Sequence, residues 1–267
     1  MAVTALVSAK GSPGVTATSL AFTLTWSSRV VLAECDPAGG AVAPGYLQGR
    51  LGSGGGLLQL AMNKLRGSSQ TDVGVPDAFW GGLVDLSPPD EERLLLPGLT
   101  DPAQAATVEP VWMWCAELFA RLGHLDRSYD VIADCGRLAA PNTPWPVLAR
   151  GDAVLLVVEP TLLSATAAVP TIAALRKRRI EQAGSDAGIG LLVVGSGPYR
   201  SAEIGQRLGV RVIAELPHDG RTAQALSHGG AVGFGRPLMR ASIDAGDRVR
   251  RFVAEQQRLA PPALRDR

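Results

Sequence analysis

Short runs of apolar residues alternate along the chain with segments whose apolar positions recur at helical spacing. Most runs are continuous, which is typical of strands covered on both faces in a parallel sheet. The predicted strands are Val3–Val7, Val30–Ala33, Leu94–Leu96, Val131–Ala133, Ala153–Val158, Ile189–Val194 and Val210–Ala214. The predicted helices are Thr16–Trp26, Gly56–Leu65, Ala103–Leu122, Leu162–Arg178, Ser201–Leu208, Thr222–Ser227 and Pro237–Leu259. This alternation predicts a doubly wound α/β fold with a mostly parallel sheet.

Two segments interrupt the alternation without dividing the chain. Gly49–Gly56 reads GRLGSGGG and predicts a flexible turn, because it offers almost no side chains for a core. Ser68–Pro89 is rich in Gly, Pro and Asp and predicts an extended loop. Since neither is a convincing domain boundary, we expect one domain over residues 1–260 and a flexible tail over residues 261–267.

Composition and charge exclude several classes of protein. The 267 residues include 26 basic and 25 acidic side chains, so the chain is neither globally polybasic nor an acidic disordered segment. Three cysteines without a CxxC pair argue against a disulfide framework and a structural zinc site, and favour reduced thiols in a cytoplasmic protein. The longest apolar run, Ala153–Val158, is far shorter than the roughly 20 residues of a membrane span. The N-terminus lacks the pattern of a signal peptide.

The first predicted strand leads directly into a glycine-rich turn. This turn, Ser8-Ala9-Lys10-Gly11-Ser12-Pro13-Gly14-Val15-Thr16, ends where the first helix begins. Backbone N–H groups converge in such a turn, and the helix dipole favours negative charge there, so the segment is a candidate anion site. Taken alone, it is equally well explained as a tight strand-to-helix connection.

Carboxylates follow two other predicted strands. Asp36 lies in Glu-Cys-Asp-Pro-Ala-Gly-Gly after the second strand, and Asp134 ends the strand that begins near Tyr129. In open α/β sheets, ligands bind at the carboxyl edge of the strands, where these acids are expected. A phosphate-binding loop with two carboxylates is the arrangement of magnesium-nucleotide chemistry, in which one acid holds the metal and another orients water.

Together these motifs resemble the ParA/MinD branch of P-loop ATPases, whose deviant Walker A motif has the form K-G-G-x-G-K-[ST]. The resemblance covers most of the chain and implies a three-layer P-loop fold with ATP, or another nucleotide, and Mg²⁺ as cofactors. It implies catalytic roles for Asp36 and Lys10, and metal binding by Thr16, Asp36 and Asp134. The implied nucleotide-binding residues are Lys10, Gly11, Ser12, Pro13, Gly14, Val15, Thr16, Ala17, Pro217 and His218.

The departures from the family pattern are informative. Val15 stands where the family has its P-loop lysine, Ser12 replaces a glycine, and Pro13 has no backbone N–H. We expect the lost charge to weaken nucleotide binding and to impair hydrolysis more, because phosphoryl transfer depends on charge neutralisation. Gly195 stands where the family often has a purine-reading side chain, so the resemblance leaves the preferred base open.

The resemblance also implies partners. The signature lysine of the family reaches across a dimer, so Lys10 is expected to act in trans in a homodimer that depends on nucleotide. The chain is therefore interpreted as a spatial regulator or scaffold with weak or no ATPase activity, positioning a pilus or secretion machine or a chromosome with a protein partner. Its loop is similar in character to that of the TadZ/CpaE type. The alternatives are an active partitioning or cell-division ATPase and an interaction module that binds no nucleotide.

Weaker signals have simpler explanations. Cys35 and Cys135 flank the site acids and are interpreted as small buried residues rather than redox or metal groups. The basic run 176–179 could contact DNA, but cations at a helix C-terminus also favour the dipole. The apolar positions of Pro237–Leu259 fit a core helix better than a membrane anchor. His218 is either a base-stacking group or an ordinary loop residue, and the Trp112–Phe119 aromatic residues are interpreted as core.

Overall fold

The computed structural model describes residues 1–10, 14–50, 55–67, 74–138 and 141–259. Across these ranges eight strands form one sheet in the order β3-β4-β2-β5-β1-β6-β7-β8, in which only the β3–β4 pair is antiparallel. The strands are β1 (Val3–Ser8), β2 (Val30–Glu34), β3 (Val84–Asp85), β4 (Arg93–Leu96), β5 (Asp130–Arg137), β6 (Ala153–Val158), β7 (Ile189–Val194) and β8 (Val212–Leu216).

Helices connect the strands and cover both faces of the sheet. They are α1 (Val15–Thr25), α2 (Gly56–Leu65), α3 (Asp77–Trp80), α4 (Ala105–Val108), α5 (Trp112–Leu122), α6 (Trp145–Arg150), α7 (Leu162–Ala183), α8 (Ser201–Leu208), α9 (Gly220–His228) and α10 (Pro237–Leu259). Two turns of 3₁₀-helix, Pro102–Gln104 and Glu109–Val111, flank α4.

The continuous apolar runs are buried on both faces, as the sequence predicts. Every residue of β1, β2 and β6 is buried. Alternate residues of β1 point into two apolar layers, with Ala5 on the side of α2, α5 and α7 and Leu6 on the side of α1, α9 and α10. The result is the doubly wound three-layer architecture expected from the alternating pattern.

The structure differs from the sequence prediction in several elements, among them the strand predicted over Val131–Ala133, which spans Asp130–Arg137 as β5. Ser68–Pro89 is not wholly extended, because its described part contains α3 and the start of the β3–β4 pair. The single helix predicted over Ala103–Leu122 is broken into short segments, and Pro110 lies at the break. Helix α6 was not predicted from the sequence, and β8 begins two residues later than expected.

The C-terminal helix α10 packs on β8 and α1, as expected for a core helix. Met239, Val249 and Phe252 are buried in the α1-side layer, whereas Ile243 is exposed. No helix among the described residues is long and apolar enough to cross a membrane. The proposed tail, residues 261–267, lies outside the described residues.

Candidate functional site

The carboxyl ends of β2, β5 and β1 lie side by side in the sheet and bring three sequence-predicted segments together. The turn after β1 carries Lys10, which is exposed, and ends at Gly14. The predicted residues Gly11, Ser12 and Pro13 lie outside the described residues. Asp36 lies two residues after the end of β2, as expected from the sequence. Asp134 lies within β5, which continues to Arg137, and is the register partner of Glu34 at the end of β2.

Helix α1 begins directly after Gly14, whose φ of +83° is in the left-handed region that favours glycine. Val15 follows it and is only 7% exposed, packed into the α1-side apolar layer. Thr16 and Ala17 are half-buried in the first turn of the helix. Position 15 therefore contributes an apolar side chain to the core, whereas the family that the sequence resembles has a lysine there.

Thr16 and Asp134 are joined by a side-chain hydrogen bond. The backbone N–H of Gly136 donates a second bond to Asp134 Oδ1 at 3.0 Å. Asp134 is almost fully buried, and this burial raises its pKa to about 7 despite both hydrogen bonds. Glu34 and Asp36 add to the rise because their negative charges lie nearby. The hydroxyl and the carboxylate are thus held in contact at the start of α1.

Asp36 is half-buried in the loop that follows β2. Its carboxylate accepts a hydrogen bond from the Ala38 backbone N–H at 2.8 Å and packs against the α-carbon of Gly136. Burial raises the pKa of Asp36, while the charge of Arg137 opposes that rise. The structure therefore places Asp36 beside the Asp134–Gly136 segment.

Glu34 has a structural role that the sequence analysis missed. Its Oε1 accepts hydrogen bonds from the backbone N–H groups of Ala41 at 2.7 Å and Val42 at 2.8 Å, and its Oε2 accepts one from Gly98 at 3.1 Å. Burial raises its pKa, and these hydrogen bonds oppose the rise. Glu34 fixes the loop that carries Asp36. The available signal was a carboxylate at the end of a strand of otherwise apolar residues.

Arg137 is a second residue that the sequence analysis did not single out. It is the last residue of β5, is exposed, and lies opposite Ser8 in the parallel register of β1 and β5. Ser8 leads directly into the glycine-rich turn. The available sequence signal was a basic residue three positions after Asp134, the acid of a buried strand.

The loops after β7 and β8 meet farther along the same edge. Gly195, with φ of +84°, donates its N–H to the Leu216 carbonyl at 2.9 Å and faces His218. The predicted base-site residues Pro217 and His218 are both exposed. Asp219 follows them and caps α9 by accepting the Thr222 N–H at 3.1 Å, and it pairs with Arg236 at 3.6 Å. These bonds fix the end of the His218 loop.

The residues present fit a magnesium ion shared with a phosphate. No group of three or more His, Cys, Asp or Glu side chains within the described ranges is arranged to hold a metal ion. A dedicated protein cage is therefore not found there. Mg²⁺ commonly takes one or two protein oxygens together with water and phosphate oxygens. Thr16 with Asp134, and Asp36 nearby, offer such oxygens, and a bound cation would favour the ionised form of the buried acid.

The weaker sequence signals have structural roles in this fold. Cys35, Cys115 and Cys135 are buried free thiols. Arg179, from the basic run, is buried and donates to the carbonyl groups of Ala187, Leu148 and Gly151, so it is not available to DNA.

The other cations of that run also contact protein groups. Arg176 pairs with Asp186, while Lys177 and Arg178 pair with Glu181. Trp112 and Phe119 are buried, as expected for core residues, whereas Trp114 is half-buried.

The sheet order and the covering helices form a mostly parallel α/β fold that matches the fold of solved ParA/MinD-type P-loop NTPases. No family model matches the chain, and no curated protein matches it either. Solved structures do match. The Aquifex aeolicus cell division protein MinD is 17% identical, with a TM-score of 0.67 over 94% of this chain and 97% of that one.

Two further structures show the same fold. The Pyrococcus horikoshii septum site-determining protein MinD, complexed with Mg-ADP, is 16% identical, with a TM-score of 0.70 over 96% of this chain and 98% of that one. A ParA family ATPase from Chlorobium tepidum is 19% identical, with a TM-score of 0.68 over 92% and 98%. At these identities the likeness establishes the fold and leaves activity to the site itself.

Proposed function

We propose that this chain is a ParA/MinD-like spatial regulator or scaffold that binds a nucleotide with Mg²⁺ and hydrolyses it weakly or not at all. One observation carries the proposal. Thr16, Asp36 and Asp134 are grouped at the carboxyl edge of a MinD-like sheet, while position 15 contributes a buried valine. Oxygen ligands for a magnesium-nucleotide complex are thus retained, and the lysine charge is not.

The missing lysine charge should reduce nucleotide hydrolysis more than nucleotide binding. A structural neighbour, the P. horikoshii MinD, was crystallised with Mg-ADP, which supports Mg²⁺ and an adenine nucleotide as the ligands to test first. A hydrogen bond to a charged group contributes roughly 1.5–3 kcal/mol, so losing the lysine should weaken binding by about 10–100-fold. Hydrolysis should suffer more, because negative charge must be neutralised in the transition state.

Thermal unfolding with Mg²⁺ and ATP, ADP, GTP or GDP tests nucleotide binding. Ligand at about 100 times its dissociation constant adds roughly 2.7 kcal/mol to the free energy of unfolding. We expect an upward shift of the midpoint in the wild type, and the ligand pattern will identify the base. A shift in Val15→Lys but not in wild type would indicate a site that has lost nucleotide binding. No shift in either protein would favour the interaction module.

The proposed assembly is a homodimer that forms with nucleotide, in which Lys10 acts on the partner's phosphates. Lys10 is exposed two residues after the end of β1, which supports this role. Lys10→Ala should abolish any nucleotide-dependent dimer in light scattering after size exclusion. Lys177→Ala, at an exposed lysine on α7, is the matched control and should dimerise normally. Unchanged dimerisation of Lys10→Ala would contradict the role in trans.

The cellular role that we propose rests on the ParA/MinD-like class of protein proposed above. Positioning a pilus or secretion machine, as in the TadZ/CpaE type, or a chromosome, would require a protein partner in the cytoplasm. Co-purification of the chain with a pilus, secretion or partitioning component, gained with nucleotide and lost in Lys10→Ala, would support this setting.

The second candidate is an active ATPase of the partitioning or cell-division class. It is supported by the close packing of Asp36 on Gly136 of β5, at the edge of the sheet where we expect the nucleotide phosphates. Steady-state phosphate release that disappears in Asp36→Ala would establish it. If wild type and Asp36→Ala release phosphate at the same background rate while wild type still binds nucleotide, the scaffold interpretation stands.

A further inference from the structure

The end of β5 places a cation beside the start of the glycine-rich turn. Arg137 is the register partner of Ser8 in the β1–β5 pair. Ser8 Oγ donates to the Gly136 carbonyl at 3.4 Å, and the Leu138 N–H donates to the Ser8 carbonyl at 2.9 Å. Arg137 is therefore held between two residues that are bonded to the first residue of the turn, while its side chain is exposed.

The same residue lies close to the loop after β2. Asp36 packs against Gly136, the immediate neighbour of Arg137, and the charge of Arg137 favours the ionised Asp36 carboxylate. Arg137 is thus the register partner of Ser8, at the end of β1, and the chain neighbour of the residue that contacts Asp36. In a magnesium-nucleotide site built on these elements, that is where phosphate oxygens would be.

Position 15 does not supply this charge, because it is occupied by an uncharged valine that packs into the α1-side layer. We propose that Arg137 binds the phosphate groups of the nucleotide within its own chain and replaces the charge that position 15 lacks. The ligand class is a nucleoside di- or triphosphate, and the inference rests on the nucleotide binding proposed above. An arginine suits this role because its guanidinium can donate two parallel hydrogen bonds to phosphate oxygens.

A structural explanation of Arg137 predicts something different. If the arginine only offsets the negative charges of Asp36 and its neighbours, its removal should change the stability of the ligand-free chain. It should then change the affinities for nucleoside mono-, di- and triphosphates by similar factors. A phosphate-binding arginine should matter most for the ligands with two or three phosphates.

Calorimetric titration separates these cases. The ligands are those of ATP, ADP, GTP and GDP that bind the wild type, together with the monophosphate of the same base. We expect Arg137→Ala to weaken di- and triphosphate binding by about 10–100-fold. The monophosphate should be affected much less. Arg137→Lys should retain part of the affinity. Arg207→Ala, at an exposed arginine near the C-terminus of α8, is the matched control and should bind as wild type does.

A compensation test follows from the same reasoning. Val15→Lys should restore di- and triphosphate affinity to Arg137→Ala, provided that its unfolding midpoint without ligand shows an intact fold. If wild type binds nucleotide and Arg137→Ala binds equally well, the inference is overturned while the proposed function stands. If wild type binds none of the nucleotides, the proposed nucleotide binding fails and this inference fails with it.

Discussion

The carboxylate of Asp36 occupies the space in which a side chain at Gly136 would lie. A Cβ placed on Gly136 would overlap the carboxylate carbon and both oxygens of Asp36. Gly136 also has a φ of +60°, in the left-handed region. The loop after β2 can therefore approach β5 this closely because Gly136 of β5 offers a bare α-carbon. This contact brings Asp36 beside the buried Asp134.

Replacing Gly136 with alanine should displace Asp36. The new methyl group overlaps the carboxylate, so the loop after β2 has to move away. We expect nucleotide binding to be reduced modestly and any nucleotide hydrolysis to be lost, because hydrolysis depends most on the position of Asp36. Phosphate release and nucleotide titration on the same preparation measure the two effects.

Gly209→Ala provides a control for backbone strain. Gly209 has a φ of +61°, nearly that of Gly136, but a Cβ there meets no atom within 4 Å. Both substitutions should cost about 1–2 kcal/mol of left-handed strain, and only the change at position 136 should cost more. Equal losses of stability, with normal activity in both variants, would show that Asp36 does not depend on the bare α-carbon.

The sequence predicted the architecture well because buried parallel strands have continuous apolar runs. Val3–Val7 and Ala153–Val158 are each within one residue of the observed strands. It predicted less of the site, because register and loop closure are set by tertiary contacts. Nothing in the local sequence shows that Glu34 accepts a hydrogen bond from the Gly98 N–H, 64 residues away, or that Arg137 lies opposite Ser8.

Removing the carboxylate of Glu34 should loosen the loop that carries Asp36. Glu34→Ala leaves the N–H groups of Ala41, Val42 and Gly98 without their acceptor. We expect a loss of about 2–4 kcal/mol in the free energy of unfolding, since a hydrogen bond to a charged group contributes roughly 1.5–3 kcal/mol net of water, while removing the buried carboxylate also removes its desolvation cost. Denaturant unfolding gives the energy, and hydrogen exchange at the three amides gives its location.

Glu34→Gln should behave between wild type and Glu34→Ala, because its single carbonyl oxygen can still serve the Ala41 and Val42 N–H groups. Glu215→Ala, at an exposed position on β8, should leave stability unchanged. Unaltered exchange at Ala41 and Gly98 in Glu34→Ala would contradict the anchoring role.

Asp130 anchors the start of β5 to the N-terminus and to the end of α1. Its carboxylate accepts hydrogen bonds from the Ala2 N–H at 2.7 Å, the Trp26 Nε1–H at 2.8 Å and the Ser28 hydroxyl at 2.7 Å. Asp130→Ala should therefore cost about 3 kcal/mol, which corresponds to a fall of roughly 6–12 °C in the unfolding midpoint.

Nucleotide binding should be unaffected in the folded Asp130→Ala protein, because Asp130 is at the opposite edge of the sheet from Asp134. An unfolding midpoint within about 2 °C of the wild-type value would show that the three hydrogen bonds contribute little, because 1 kcal/mol shifts the midpoint by roughly 2–4 °C in a chain of this size.

The buried Asp134 should make the ligand-free protein less stable as the pH rises. Its pKa is about 7 in the folded chain, against 3.8 for an unperturbed carboxyl. The folded state therefore holds a proton that the unfolded state releases between these values. The resulting stability is fully present below about pH 4 and is lost progressively up to about pH 7, with an upper limit of about 4 kcal/mol at 1.4 kcal/mol per pKa unit.

Asp134→Asn should remove most of this pH dependence. At pH 8, without metal or nucleotide, the variant should be more stable than wild type by up to a few kcal/mol, and the difference should vanish near pH 4. Glu34 and Asp36 also have raised pKa values, so a smaller slope of the same sign should remain. Mg²⁺ with nucleotide should reverse the order at pH 8, because the cation favours the ionised carboxylate that only wild type has. Parallel pH profiles for the two proteins would contradict the raised pKa of Asp134.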